Sequence, residues 1–128
     1  MTERVSSVLV VDDDVQMAEL LRDVLAREGF DTEAEFSGRA ALAAVERRRF
    51  DVVIVDKEMP DLNGLDVLAA LRARLPEVRL IFLTAFGGSL VARAARKRGA
   101  DCYLDKPVRI DNLVATVRTV LGAPERTS

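Results

Sequence analysis

Apolar and polar positions along this chain fall into blocks whose period keeps changing. "VSSVLVV" at 5–11 is an apolar run, read as a strand, that ends on three consecutive aspartates. Residues 15–28 then carry Met17, Leu20, Leu21, Val24 and Leu25 on one helical face, until Gly29 stops the helix. "DTEAEF" at 31–36 alternates strictly, as a half-covered strand does. A helix follows over about 38–48, built on Ala40, Ala41, Leu42, Ala44 and Val45. "DVVIV" at 51–55 is a third strand, and "MPDLNG" is a loop broken by Pro60 and Gly64. Residues 65–75 form a helix with Leu65, Leu68, Leu71 and Leu75 inward, and "VRLIFL" at 78–83 a fourth strand. The helix over 88–98 has few large apolar side chains, mainly Leu90 and Val91. "CYL" at 102–104 is a short strand and Pro107 a break. The last helix, 109–121, rests on Ile110, Leu113, Val114, Val117, Val120 and Leu121.

Five alternating strand–helix units predict an α/β fold, a single doubly wound (βα)5 domain with helices on both faces of a parallel sheet. The first, third and fourth strands are continuously apolar, as strands covered on both faces are. The second alternates and the fifth is very short, so both suit sheet edges. The order that satisfies this is 2-1-3-4-5, which makes strands one and three neighbours at the switch point. Ligands bind there, beyond the carboxyl ends of the strands. At 128 residues one domain is expected over 1–128, with its core at about 5–121 and 122–128 as a tail or the start of a linker.

That edge collects chemistry. Strand one presents Asp12, Asp13 and Asp14, strand three Asp56, strand four Thr84 and strand five Lys106. Each alone means little, since an Asp after a strand is usually a cap or turn former. Their convergence is what carries weight. Asp14 is most simply the N-cap of the first helix. Asp12, Asp13 and Asp56 crowd carboxylates into one crevice and call for a cation. Mg2+ takes one or two carboxylates, keeps waters and bridges to phosphate oxygens, and Mn2+ suits the same oxygen set. A carboxylate held there can attack phosphorus and form an aspartyl phosphate. Lys106 supplies a point charge for the transferred group and the Thr84 hydroxyl one hydrogen bond.

Composition removes other chemistries. With no histidine, Ser-His-Asp and Cys-His machinery, His-ligated metals and phosphohistidine carriers are all excluded. The single cysteine, Cys102, rules out an intrachain disulfide and fits a reducing compartment. With no signal peptide or membrane span in the sequence, a cytoplasmic location without membrane contact is expected. A net charge of −2 gives no electrostatic footprint for direct nucleic-acid binding. The basic groups Arg47–Arg49 and Arg93, Arg96, Lys97, Arg98 read as solvated helix ends and faces.

Taken together, "VLVVDDD", "VIVDKEMPDLNG", "LIFLTA" and "GADCYLDKP" make the chain resemble, over essentially its whole length, the receiver domain of two-component response regulators. The resemblance implies a signalling switch rather than an enzyme, limited to self-catalysed phosphoryl transfer to Asp56 and slow autodephosphorylation. The phosphoryl donor would be a sensor histidine kinase or a histidine phosphotransfer protein. Asp12, Asp13 and Asp56 would hold Mg2+ with the backbone carbonyl of Glu58. Thr84 and Tyr103 would form the switch, Lys106 would bind the phosphoryl group, and the Lys106–Pro107 bond would be cis. Glu58 and Phe86 stand at offsets that govern water access to the acyl phosphate in this family. The face of the fourth helix, fifth strand and fifth helix would then control a downstream protein or a linked output domain. Cys102 stands where receivers joined to winged-helix DNA-binding domains usually carry Asp, which leaves homodimerisation on phosphorylation open. Lys57 also departs from the apolar or small residue usual after the acceptor.

Two other readings compete. "VLVVDDDV" also fits a haloacid-dehalogenase-like phosphohydrolase with Asp12 as nucleophile and Asp14 as acid/base, but Asp56 and "MPDLNG" would then be unexplained. A degenerate receiver that only binds partners would need a geometric defect that the sequence does not show.

Overall fold

The computed structural model describes residues 5–59, 61–85 and 87–122, so Pro60, Phe86 and the tail from 123 lie outside the described residues. Ten elements alternate: β1 (Ser7–Val11), α1 (Val15–Arg27), β2 (Asp31–Glu35), α2 (Gly38–Arg47), β3 (Val52–Asp56), α3 (Gly64–Arg74), β4 (Arg79–Thr84), α4 (Ser89–Lys97), β5 (Cys102–Asp105) and α5 (Ile110–Gly122). The strands form one parallel sheet of order β2-β1-β3-β4-β5, as expected from which strands are apolar on both faces. Expected boundaries hold to within two residues, with Asp56 and Thr84 drawn into the ends of their strands.

The pleat sends successive side chains to opposite faces, and the three inner strands obey it. Val8, Val10, Val52, Ile54, Ile81 and Leu83 face α1 and α5, meeting Ala18, Leu21, Leu25, Leu113 and Val117. Leu9, Val11, Val53, Val55, Leu80 and Phe82 face α2, α3 and α4, meeting Ala41, Ala44, Val67, Leu68, Leu71 and Ala95. Each of these large side chains contributes about 1.5–3 kcal/mol by leaving water. The same parity aims Asp56 toward the α1/α5 side, and Thr84 and Tyr103 toward the side of α4.

The helical stripes are narrower than the sequence pattern suggests. Met17 and Leu20 are exposed, and α1 buries Ala18, Leu21 and Leu25 instead. Ala18 is small enough to lie directly on the sheet, and it rotates the helix so that Leu20 turns outward. In α3, Val67 is buried while Leu65 and Leu75 are only half-buried. Ile110 opens α5 at the solvent edge and is exposed as well. Leu90 is no anchor for α4: it is 78% exposed, and only Ala95 of that helix is buried. The N-cap of α4, Gly88, has no side chain to bind the first-turn amides. Weak anchoring of α4, expected from its few apolar residues, is therefore present.

Edge strand β2 is covered by charge. Arg47 pairs with Glu33 and Glu35, and Arg48 with Asp31 and Glu33. These two arginines are more than solvated ends: they blunt the open face of an edge strand. At the other side of the sheet, Arg72 bonds the carbonyls of Leu75, Pro76, Val78 and Gly99 and pairs with Asp101 at 3.0 Å.

Candidate functional site

Among the described residues, the buried polar side chains are Asp12, Asp56 and Thr84, and all three lie at the carboxyl end of the sheet. The backbone explains their positions. The Asp12 amide donates to the Glu35 carbonyl at 3.1 Å, extending the β1–β2 ladder one residue into the loop. Asp12 Oδ1 then accepts from the Asp14 amide at 3.0 Å, folding the turn back on itself. Asp13 is left exposed at the rim. Asp14 caps α1 by accepting from the Met17 amide at 3.1 Å, as expected. That bond employs Asp14 as a cap and leaves the hydrolase reading without its acid/base.

Asp56 ends β3, and its loop is closed by Gly64, whose amide donates to the Lys57 carbonyl at 3.1 Å. A Cβ at Gly64 would stand 2.5 Å from Lys57 Cα and 2.6 Å from the Asp56 carbonyl oxygen. Only glycine lets α3 start this close to the strand end.

Asp12, Asp13 and Asp56 each offer a carboxylate oxygen, and these atoms lie within 4.8 Å of one another. Lys106 enters from the end of β5, where its amide is tied to the Thr84 carbonyl at 2.8 Å. Its Nζ stands 2.8 Å from Asp56 Oδ1 and 3.6 Å from Asp12 Oδ2. The Lys106–Pro107 bond is cis, in agreement with the expectation.

Burial drives the Asp56 carboxyl up to about 7; the Lys106 contact opposes this and the Asp12 charge adds to it. Burial pulls the Lys106 ammonium down, but Asp56 and then Asp12 outweigh it and leave Lys106 raised. One ammonium thus faces more negative charge than it balances. Asp12 Oδ2 and Asp56 Oδ1 are also buried without a directional hydrogen bond, their contact with Lys106 being one of charge. A hard divalent cation with oxygen ligands suits that donor set, so Asp12, Asp13 and Asp56 fit Mg2+ or Mn2+.

The Glu58 side chain reaches into the same crevice. Its Oε1 accepts from the Thr84 hydroxyl at 2.9 Å and from the Ala85 amide at 3.2 Å. Burial raises the Glu58 carboxyl, but the hydrogen bonds from Thr84, Asp56 and Ala85 more than reverse this and leave it lowered.

A family model described as the response regulator receiver domain matches residues 8–118. The chain belongs to that family. The DNA-binding response regulator MtrA of Mycobacterium tuberculosis is 43% identical over 114 residues, which cover 89% of this chain and 50% of MtrA. The chain thus spans about half the length of that relative. Among solved structures, the receiver domain of Francisella response regulator 1452 is 33% identical with a TM-score of 0.85, covering 91% of this chain and 96% of that one. A CheY-like receiver domain protein from Methanospirillum hungatei gives a TM-score of 0.89 at 25% identity, covering 92% of this chain and 94% of that one. The chain is therefore a receiver domain of two-component signalling, a phosphorylation-activated switch.

Two further residues extend the receiver's site: Tyr103, expected from the resemblance, and Asp61, which was not. Tyr103 lies opposite Phe82 in the β4–β5 ladder, its ring half-buried against the α4 side of the core. Its hydroxyl donates to Asp105 Oδ1 at 2.6 Å and accepts from the Gly88 amide at 3.1 Å, joining β5 to the start of α4. A Cβ on Gly87 would fall 1.5 Å from the Tyr103 hydroxyl oxygen. The glycine pair before α4 was the available clue to that approach. Asp61 is a further unread contact: it accepts from the Gly38 and Arg39 amides, both at 3.1 Å, and so ties the loop after β3 to the start of α2. Phe86, expected to modulate water access to the acyl phosphate, lies outside the described residues.

Proposed function

We propose that Asp56 is the phosphoryl acceptor of this receiver. The supporting observation is the burial of its carboxylate at the strand end, with Lys106 Nζ at 2.8 Å and the Asp12 and Asp13 oxygens within 4.8 Å. An Asp56 carboxylate oxygen attacks the phosphorus of a phosphohistidine on a sensor kinase or a histidine phosphotransfer protein. The new O–P bond forms as the P–N bond breaks, and the imidazole nitrogen keeps that electron pair and takes up a proton from water. Lys106, already beside Asp56, neutralises charge on the transferred group. Asp12, Asp13 and Asp56, with the Glu58 backbone carbonyl, would hold Mg2+, or Mn2+ in its place. When bound, the ion offsets phosphoryl charge and aligns the donor with the acceptor oxygen.

Phosphorylation places a charge of about −1.5 to −2 and three acceptor oxygens on Asp56. Thr84 lies beside them at the end of the adjacent strand, and its movement frees space toward which the Tyr103 ring turns. Tyr103 is bonded to the start of α4, a helix with one buried residue, so α4 is the element that shifts. The altered α4–β5–α5 face then controls a downstream protein or a linked output domain in the cytoplasm, without the receiver itself touching nucleic acid or membrane. Among the described residues, no helix is long and apolar enough to cross a membrane.

The test is intact mass after incubation with acetyl phosphate and Mg2+. A phosphate adduct that needs Mg2+ and is lost in Asp56→Asn is the expected result. An adduct that survives Asp56→Asn but disappears in Asp12→Asn would move the acceptor to the first strand.

A further inference from the structure

We propose that in the resting receiver the Glu58 carboxylate occupies the phosphoryl pocket, and that phosphorylation has to expel it before Thr84 and Ala85 can hold the phosphoryl group. The inference rests on Asp56 being the acceptor and concerns what fills the site beforehand.

Geometry supports the occupancy. The Thr84 hydroxyl and the Ala85 amide are the donors at the end of β4, next to Asp56 on β3. Both converge on one atom, Glu58 Oε1, at 2.9 and 3.2 Å. An anionic oxygen gripped by a hydroxyl and a backbone amide is the arrangement that a phosphoryl oxygen would adopt there. The two oxygens cannot share that place. Glu58 stands two residues beyond Asp56, and its Oε1 sits on the donors at the end of the strand beside Asp56, so it lies where a group attached to Asp56 must go.

The occupant is also displaceable. Glu58 Oε2 is buried with no hydrogen-bond partner among the described residues. An unsatisfied buried oxygen offsets part of what the two bonds at Oε1 contribute. A phosphoryl group carries more charge and more acceptor oxygens than a carboxylate, and its charge repels Glu58 directly. Glu58 stems from the loop two residues beyond β3 and is only partly buried, so solvent is close at hand for the displaced side chain. The resting protein therefore holds Thr84 in an existing bond. Phosphorylation gains only the difference between two anions, and the apparent affinity for the phosphoryl group falls by the fraction of molecules in which Glu58 is already out.

The experiment uses beryllofluoride with Mg2+ as the phosphoryl stand-in, titrated by NMR on the parent, Glu58→Gln, Glu58→Ala and Asp56→Asn. Mg2+ affinity alone is measured alongside, so that any change in it is separated out. Gln removes the charge but keeps a carbonyl that can accept from Thr84 and Ala85, whereas Ala removes both. The expected order of affinity is Ala tightest, about 5- to 50-fold above the parent, with Gln between them. Before any ligand is added, the Ala85 amide resonance should move strongly in Ala and little in Gln. Equal affinities for Ala and Gln would mean that Glu58 acts through its field alone, and an Ala variant no tighter than the parent would mean that it does not occupy the pocket. Either result overturns the proposal while Asp56-dependent binding persists. Undiminished binding by Asp56→Asn would instead overturn the acceptor assignment and the proposal with it.

Discussion

Lys106 Nζ contacts Asp56 Oδ1 at 2.8 Å while remaining 3.6 Å from Asp12 Oδ2, so one cation bridges two strand ends across the switch point of the sheet. The asymmetry matters because it leaves Asp12 the more distant of the two buried carboxylates from the ammonium, with an Asp13 oxygen within 4.8 Å.

Replacing Lys106 by Met keeps the stem and removes the charge. Asp56 then loses the contact that opposes its burial, so its titration midpoint should climb above the parent's value of about 7. Carboxyl 13C NMR on metal-free protein measures this directly, and an unchanged midpoint would show that the contact does not form in solution. Acetyl phosphate labelling should slow by about 10²-fold, the usual loss when one electrostatic stabiliser is removed.

The raised Asp56 carboxyl also sets a pH dependence. Its folded value, about 7, lies above the ordinary 3.8, so the folded metal-free protein keeps a proton that the unfolded chain has already released between these limits. Stability of the metal-free protein should therefore fall as pH rises through that window, and Asp56→Asn should flatten the slope. Mg2+ must displace the same proton, so below pH 7 its affinity should weaken by up to about tenfold per pH unit. Calorimetric titration in buffers of different ionisation enthalpy counts the proton released, and a pH-independent affinity would contradict the ligand set.

Far from the site, Arg72 and Asp101 pair at 3.0 Å with both side chains largely covered, and Asp101 also accepts from the Leu80 amide at 2.8 Å. Removing either partner leaves buried groups unsatisfied. Asp101→Ala and Arg72→Met should each cost about 2–4 kcal/mol, with a double mutant costing clearly less than the sum. Urea denaturation of the four species measures the coupling, and strict additivity would exclude it.

Gly87→Ala is expected to break the link between Tyr103 and α4, because its Cβ would fall 1.5 Å from the Tyr103 hydroxyl oxygen. Tyr103 must leave its bonds to Gly88 and Asp105. Amide exchange in α4 should then quicken by about tenfold or more, while β1 and β3 keep their protection. Unaltered α4 exchange would show that the tyrosine does not hold the helix.

Much of this was legible in the chain because the inner strands must bury both faces. Continuous apolar runs at 5–11, 51–55 and 78–83 identified interior strands, and alternation and brevity marked the two edges. From the order alone, Asp12, Asp56, Thr84 and Lys106 had to meet. Helix faces were less legible: Leu20 and Leu90 read as core residues and are exposed, because the alanines Ala18 and Ala95 make the close contacts instead. Side-chain size, which a hydrophobic pattern ignores, decided which stripe lay against the sheet.

The sequence by itself therefore determined the sheet order and the roster of polar residues at the switch point, since these follow from local periodicity and strand connection, while its motifs carried the resemblance to the receiver family. Only the tertiary structure decided which donor meets which acceptor. Glu58 bound to Thr84 and Ala85, Tyr103 bound to Gly88 and Asp105, and Asp61 bridging to α2 all depend on distances between segments far apart in the chain. A hydrogen bond forms or fails within a few tenths of an ångström, and that precision is set by packing rather than by pattern.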